Sequence, residues 1–161
     1  MTPDKIYSQR ATQYAFILWG DRFEEEVTTI FATELRRAGL SVKIVGLAGL
    51  KAAGVHGLVL SCDITLWDAL PLADQAICVI LPCSMATVKR IENDPRVHEF
   101  FKLALQNQAQ FIIQHPEVIT YLTSQGLEIS PSAFAIYREG PDLIHFAHEI
   151  AMTLATNFVN P

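Results

Sequence analysis

The fold is decided by residues 14–47, which read YAFILWGDRFEEEVTTIFATELRRAGLSVKIVGL. The first six residues form a continuous apolar run, which is typical of a strand buried on both faces of a parallel sheet. From Glu24 to Ala38 the apolar residues recur at helical spacing, and residues 41–47 return to the pattern of a strand. A strand, a helix and a strand of these lengths form the βαβ unit of a parallel sheet. The segment therefore predicts an α/β fold.

The charges of the predicted helix support its limits. Residues 24–26 are all glutamates in the first turn, and residues 36 and 37 are arginines in the last turn. Negative charge near the amino end and positive charge near the carboxyl end both stabilise the helix dipole. Gly39 follows directly, and glycine commonly ends helices.

The rest of the chain continues the alternation of strands and helices. We predict strands at residues 58–62, 76–81, 111–113 and 133–137. We predict helices that begin at Pro95, Pro116 and Leu143. Asp94 caps the first of these helices, and the last runs to Phe158. The run at 76–81 is apolar throughout, so we expect a central strand there. It ends at Pro82, and the strand at 111–113 ends at a corner before Pro116. Strand ends that face helix starts are where α/β proteins bind ligands.

The bulk composition indicates one compact domain. The chain has 161 residues, of which 50% are apolar, and we assign residues 1–12 to a polar lead-in and residues 13–161 to a single domain. The net charge is -5 at pH 7 and the 12 basic residues are scattered, so nucleic acid and anionic membranes are not expected partners. No apolar run approaches the ~18 residues of a membrane helix, and the first 13 residues do not have the pattern of a signal sequence. We therefore expect a cytoplasmic protein.

The cysteines and histidines do not predict a metal site or a cofactor. Cys62, Cys78 and Cys83 have neither the spacing of zinc ligands nor the even number of a disulfide framework, so we interpret them as thiols. His145 and His148 are spaced for one face of a helix, but no third ligand is indicated. The sequence also lacks the glycine-rich loops that bind phosphate groups in nucleotide-binding proteins.

Several short motifs follow one another along the chain, namely Phe23-Glu24-Glu25, Leu35-Arg36-Arg37-Ala38-Gly39-Leu40, Val45-Gly46-Leu47-Ala48-Gly49, Val59-Leu60-Ser61-Cys62-Asp63, Leu66-Trp67-Asp68, Ile80-Leu81-Pro82, Asp94-Pro95-Arg96-Val97 and Gly140-Pro141. In their order and spacing these motifs resemble those of the ThiJ/PfpI family, and within it the branch of the parkinsonism-associated deglycase. The resemblance covers residues 14–112 well and the remainder weakly. It implies a flavodoxin-like, three-layer α/β sandwich of the class I glutamine amidotransferase type, with a mostly parallel central sheet and usually a dimer.

Family enzymes, as the resemblance implies, place a reactive cysteine on the turn between a strand and a helix. A protonated glutamate from the first helix stabilises the thiolate. Ile113 stands at the position of that cysteine in this chain, and Val27 at the position of that glutamate. Glu26 precedes Val27 by one residue, so it should point about 100° away round the helix.

The third catalytic element is changed as well. The family has two glycines after a leucine-proline pair, which leave room for backbone N–H groups that bind an oxyanion. Cys83 and Ser84 replace them here, so a backbone that relied on positive φ would be strained. The chain is also short for the family between Gly126 and Ala133, which puts the usual dimer surface in question.

Cys83, His115 and Glu26 are the candidate catalytic residues that remain. Cys83 is the one thiol at a predicted strand end facing a helix start, where it is either a relocated nucleophile or redox sensor, or a small residue that fills a turn. His115 is either a general base or ligand contact, or a helix cap or solvated turn residue.

The candidate binding residues are Gln114, His115, Ser84 and Glu25. We place all four at the strand ends, where the corner before Pro116 should meet the glutamates of the first helix. Acidic residues in a first helical turn also have a purely structural reason to be there.

We therefore predict a non-catalytic domain that works as a binding, regulatory or protein-interaction module. Its partner would be a second copy in a homodimer, an unknown protein or a small molecule. The alternative is a cysteine-dependent enzyme or redox sensor that uses Cys83 with help from His115 or a nearby glutamate. A third reading is a small-molecule pocket at the strand ends without turnover.

Overall fold

A computed structural model describes residues 12–91 and 93–158 of the chain, so the predicted polar lead-in at 1–12 lies outside the described residues except for its last position. The strands in this part are β1 Tyr14–Trp19, β2 Ser41–Gly46, β3 Lys51–Ala53, β4 Val59–Ser61, β5 Ile64–Thr65, β6 Ala76–Ile80, β7 Gln110–Ile113 and β8 Phe134–Ile136. The α-helices are α1 Glu25–Arg37, α2 Leu66–Ala69, α3 Met85–Ile91, α4 Pro95–Gln106, α5 Glu117–Ser124 and α6 Leu143–Phe158. Short 3₁₀ helices cover Leu70–Gln75 and Pro131–Ala133.

A six-stranded sheet forms the centre of the molecule, in the order β5-β2-β1-β6-β7-β8. Every neighbouring pair in it is parallel. The predicted α/β fold is therefore confirmed, and β6 lies between β1 and β7 as a central strand. Because all strands run the same way, their carboxyl ends meet at one edge of the sheet.

Helices cover both faces of the sheet and complete the predicted three-layer sandwich. On one face, α1 and α6 contribute buried residues such as Phe31 and Ala147. On the other face, α4 and α5 contribute buried residues such as Phe100 and Val118. A large apolar side chain that is removed from water in this way contributes ~1.5–3 kcal/mol.

The side chains of β1 show why its sequence is apolar without interruption. Ile17 and Trp19 belong to the core beneath α1, whereas Phe16 and Leu18 belong to the core beneath α4. Successive side chains of a strand point to opposite faces, so a strand covered on both sides must be apolar at every position.

The segment after β2 differs from the prediction. The predicted strand at 58–62 is present as β4, but it pairs antiparallel with β3 in a separate hairpin instead of joining the central sheet. The sequence did not predict β3, because Lys51-Ala52-Ala53 lacks the β-branched and aromatic residues that favour strands. The hairpin lies against the amino end of α1, where Phe23 forms a bridge with Gly54.

The predicted helix limits are confirmed at two places. Gly39 follows α1 with a φ of 85°, the left-handed conformation that ends helices. The Asp94 side chain accepts a hydrogen bond from the backbone nitrogen of Arg96 at 2.9 Å, which caps α4 as expected. Within the described residues, no helix is both long and apolar enough to cross a membrane.

Candidate functional site

A cavity of about 490 Å³ lies at the carboxyl-terminal edge of the sheet. We call it the strand-end cavity; its ionisable lining includes Arg22, Glu24, Glu25, Glu26, Arg90 and Glu139. The lining comes from the β1–α1 turn, the first turn of α1, the hairpin turn, α3 with the residue before it, and the loop after β8. Its volume is in the range of small-ligand pockets.

The predicted binding residues lie in two different places in the structure. Glu25 and Ser84 line the strand-end cavity, and so does Glu26. Gln114 and His115 are not among the lining residues of that cavity; both are partly buried in the corner between β7 and α5. The backbone carbonyl of His115 accepts a hydrogen bond from the backbone nitrogen of Val118 at 3.1 Å, so it takes part in starting α5.

The positions of the family's cysteine and glutamate are part of the apolar interior. Ile113 is 0% exposed and belongs to the core beneath α4 and α5. Val27 is 1% exposed and belongs to the core beneath α1 and α6. Neither side chain carries a group that can donate, accept or react.

Tyr137 is the main feature of the site that the sequence did not predict. Its side chain is 1% exposed, and its backbone nitrogen donates to the carbonyl of Ile113 at 2.9 Å. The hydroxyl donates to Oε2 of Glu24 at 3.0 Å and lies 3.4 Å from the backbone oxygen of Leu81. Burial raises the pKa of Tyr137, and the Glu24 carboxylate adds to the effect, so the phenol stays protonated. The tyrosine thus fills the space between β6, β7 and the start of α1.

Glu24 is held in place from both sides. Its backbone nitrogen donates to the carbonyl of Pro82 at 2.8 Å, which ties the start of α1 to the end of β6. Burial raises the pKa of the Glu24 carboxyl from its ordinary value of 4.5. The hydrogen bond from Tyr137 opposes that shift, and the charge of Glu139 adds to it. The carboxyl therefore holds its proton to a higher pH than an exposed glutamate does.

Replacing Glu24 with glutamine is expected to raise the melting temperature at pH 8 and to leave it nearly unchanged at pH 4. Folding raises the pKa of Glu24, so the stability that this group contributes is complete below pH 4.5 and is lost as the pH rises through the folded value. Glutamine stays neutral and keeps an oxygen for the Tyr137 hydroxyl. Thermal unfolding of both proteins at the two pH values tests this, and an equal difference at both would contradict it.

Cys83 lies beside this group in a buried position. It is 4% exposed, and burial together with the charge of Glu24 raises the pKa of its thiol to about 12. Cys62 and Cys78 are also free, and burial raises their pKa values as well. Neither Cys83 nor Ser84 has positive φ, so the condition under which strain was expected at these positions is not met.

Glu25 is used to hold the hairpin. Its Oε1 accepts hydrogen bonds from the backbone nitrogens of His56 at 2.8 Å and Leu58 at 3.3 Å. Burial acts to raise the pKa of Glu25, but backbone hydrogen bonds from Glu25 itself, His56 and Leu58, together with the charge of His56, outweigh it and lower the pKa. A Cβ atom at Gly54 would lie 2.2 Å from the Glu25 carboxyl, so glycine is required for this approach. Glu25 therefore has a structural role in shaping the cavity.

The histidines of α6 do not form a metal centre. His145 lies 3.2 Å from Glu149, and His148 lies 3.0 Å from Glu34 of α1. Among residues 12–91 and 93–158, no group of three or more histidine, cysteine, aspartate or glutamate residues is arranged to hold a metal ion.

Solved structures match the chain, whereas no protein-family profile and no curated protein sequence does. A DJ-1 superfamily protein from Salmonella typhimurium has a TM-score of 0.71 at 15% identity, over 92% of this chain and 91% of that one. Drosophila melanogaster DJ-1beta has a TM-score of 0.67 at 16% identity, over 93% and 92%. A ThiJ/PfpI domain protein from Brachyspira murdochii has a TM-score of 0.67 at 14% identity, over 89% and 96%. The chain therefore has the fold of the DJ-1/ThiJ/PfpI proteins, as the sequence motifs predicted.

Proposed function

We propose that this chain is a shortened, non-catalytic member of the DJ-1/ThiJ/PfpI proteins that binds a partner without converting it. The observation that carries the proposal is the filled reactive corner. Ile113 is packed in the core, and the buried Tyr137 hydroxyl is bonded to Glu24, next to the position from which a nucleophile would have to act. A covalent mechanism needs an activated nucleophile beside a base or a stabilising charge.

The energetics at Cys83 support this proposal. A reactive cysteine needs a lowered pKa, which basic neighbours or a helix start usually provide. Cys83 instead has the Glu24 carboxyl as its charged neighbour, and the pKa of its thiol is raised to about 12. At pH 7 such a thiol is almost entirely protonated.

The alternative is a cysteine-dependent enzyme or redox sensor at Cys83. It would need His115 or a nearby glutamate to remove the thiol proton. His115 lies outside the strand-end cavity, and the charge of Glu24 opposes a thiolate.

Three free cysteines also fit a reducing compartment, so we propose that the protein works in the cytoplasm.

Thiol labelling separates the two functions. With iodoacetamide at pH 7.5, we expect Cys83 to react at least about 100-fold more slowly than in the chain unfolded by guanidinium, because labelling requires exposure and ionisation. Peptide mass spectrometry gives the rate at each cysteine. Labelling of Cys83 that is much faster than that of Cys62 and Cys78 would favour the alternative.

The hairpin formed by β3 and β4 offers a surface for a protein partner. Leu50, Val55, Leu58 and Val59 are each more than half exposed on it. Clustered apolar side chains that are left in water commonly mark interaction sites. We propose that this apolar hairpin surface contacts a second copy of the chain, which gives a homodimer.

Val59→Glu is expected to weaken the dimer at least about tenfold, because it places a charge at the centre of the apolar hairpin surface. Ile144→Glu is the matched control, since Ile144 is also an exposed β-branched aliphatic side chain, 58% exposed, but lies on α6. Sedimentation velocity across a concentration series measures both. A wild-type protein that stays monomeric, or equal weakening by both changes, would exclude this surface.

A further inference from the structure

The arginines of the strand-end cavity form no ion pair with its glutamates among the described residues. Elsewhere in the described residues, Arg36, Arg37 and Arg96 each lie within 3.5 Å of a carboxylate oxygen. Arg22 and Arg90 line a cavity that also has four glutamates, yet within residues 12–91 and 93–158 neither forms an ion pair. Unlike charges that face one space without touching can both be satisfied by a ligand that bridges them.

The acidic side of the cavity suits a cationic group. Glu24 is half-buried, and Glu139 is close enough for its charge to raise the pKa of Glu24 further. Two carboxyls that repel each other are both stabilised when a positive charge lies between them. Glu25 uses its Oε1 to accept the hairpin hydrogen bonds, whereas its buried Oε2 has no hydrogen-bond partner among the described residues.

The basic side of the cavity suits an anionic group. Arg22 belongs to the β1–α1 turn and Arg90 to the last turn of α3, so they approach the cavity from different elements. Arg22 has a φ of 67°, an uncommon conformation for a side-chain-bearing residue, and its backbone nitrogen donates to the carbonyl of Ala53. The turn is therefore fixed by the hairpin, which also holds the arginine at the cavity.

From this arrangement we propose that the strand-end cavity binds a small zwitterion, namely a free amino acid or dipeptide. Its ammonium group lies between Glu24 and Glu139, and its carboxylate lies against Arg22 and Arg90. Val55, which is 53% exposed, provides apolar wall for its side chain. A ligand with one charge would leave the opposite set of cavity charges without a partner, so both charges are needed. The proposal rests on the non-catalytic function, of which it names the ligand class.

The test uses the full chain. The probes are the free L-amino acids and, separately, the dipeptides that contain glycine and alanine. Saturation-transfer NMR identifies binders, and calorimetry measures their affinities. We expect a binder with a Kd of about 1 mM or tighter. Its analogues without the amino group and without the carboxylate should each bind at least about tenfold more weakly. No binding at ~10 mM, or equal binding of a one-charge analogue, would overturn the proposal.

Variants locate the site. Arg90→Gln and Glu139→Gln are each expected to weaken binding about fivefold or more without unfolding the protein, because both side chains are exposed. Arg138→Gln is the matched control, an exposed arginine that does not line the cavity. Equal loss in the control would contradict the assignment. Following the ligand by NMR overnight separates the two proposals: consumption would refute the non-catalytic function, whereas absence of binding would refute only the ligand class.

Discussion

Replacing Ile113 with alanine is expected to destabilise the protein by about 3 kcal/mol. Ile113 is 0% exposed between the sheet and the helices beyond it, so the change removes buried apolar surface and leaves a cavity. Substitutions of this kind in packed cores cost ~2–5 kcal/mol. Chemical denaturation with urea, followed by circular dichroism, measures the loss directly.

Ile144→Ala is the matched control, since Ile144 is 58% exposed and its replacement should change the free energy of unfolding by less than about 0.5 kcal/mol. A loss at Ile113 as small as that at Ile144 would show that the corner is loosely packed. Such a corner would leave room for a reacting group, and the filled-site account would then be wrong.

Tyr137→Ala is expected to lower the free energy of unfolding by about 4 kcal/mol, because the ring is buried. Removing a large aromatic side chain from a core lowers this free energy by ~3–5 kcal/mol. The Tyr137 ring packs against that of Phe31 with centroids 5.9 Å apart. The same change removes the hydroxyl that donates to Glu24. Urea denaturation at pH 7 gives the total effect.

Tyr137→Phe separates the hydroxyl from the ring. It keeps the packing and removes one hydrogen bond to a half-buried carboxyl, which should cost about 1 kcal/mol. Because that hydrogen bond lowers the pKa of Glu24, its loss should raise this pKa further. A phenylalanine variant as unstable as the alanine variant would mean that the hydroxyl, and not the filling of the space, dominates.

The fold could be predicted from the sequence because its signals are local. The apolar run of β1 reports burial on both faces, and Gly39 and Asp94 mark helix ends within a few residues of the turns that they stabilise. β3 escaped prediction because its residues have little intrinsic preference for a strand, and its pairing with β4 is imposed by the tertiary structure.

The sequence could predict only those parts of the site that follow from the position of one residue within one predicted strand or helix. The replacements at Ile113 and Val27 were visible as departures from a motif, and the structure shows that both side chains are in the core. The contact between Tyr137 and Glu24 joins residues 113 apart in sequence, and no spacing rule indicates such a pair. A tyrosine at the carboxyl end of a predicted strand was the one local signal that pointed to the site.

The most direct test of the non-catalytic function compares wild type with Cys83→Ala in the presence of glyoxal, a reactive aldehyde. Residual glyoxal is trapped with o-phenylenediamine and measured by absorbance, and the same pair is compared for loss of hydrogen peroxide. The non-catalytic function predicts that both proteins consume each reagent at the same rate, without saturation. A saturable consumption by the wild-type protein that is lost in Cys83→Ala would contradict it.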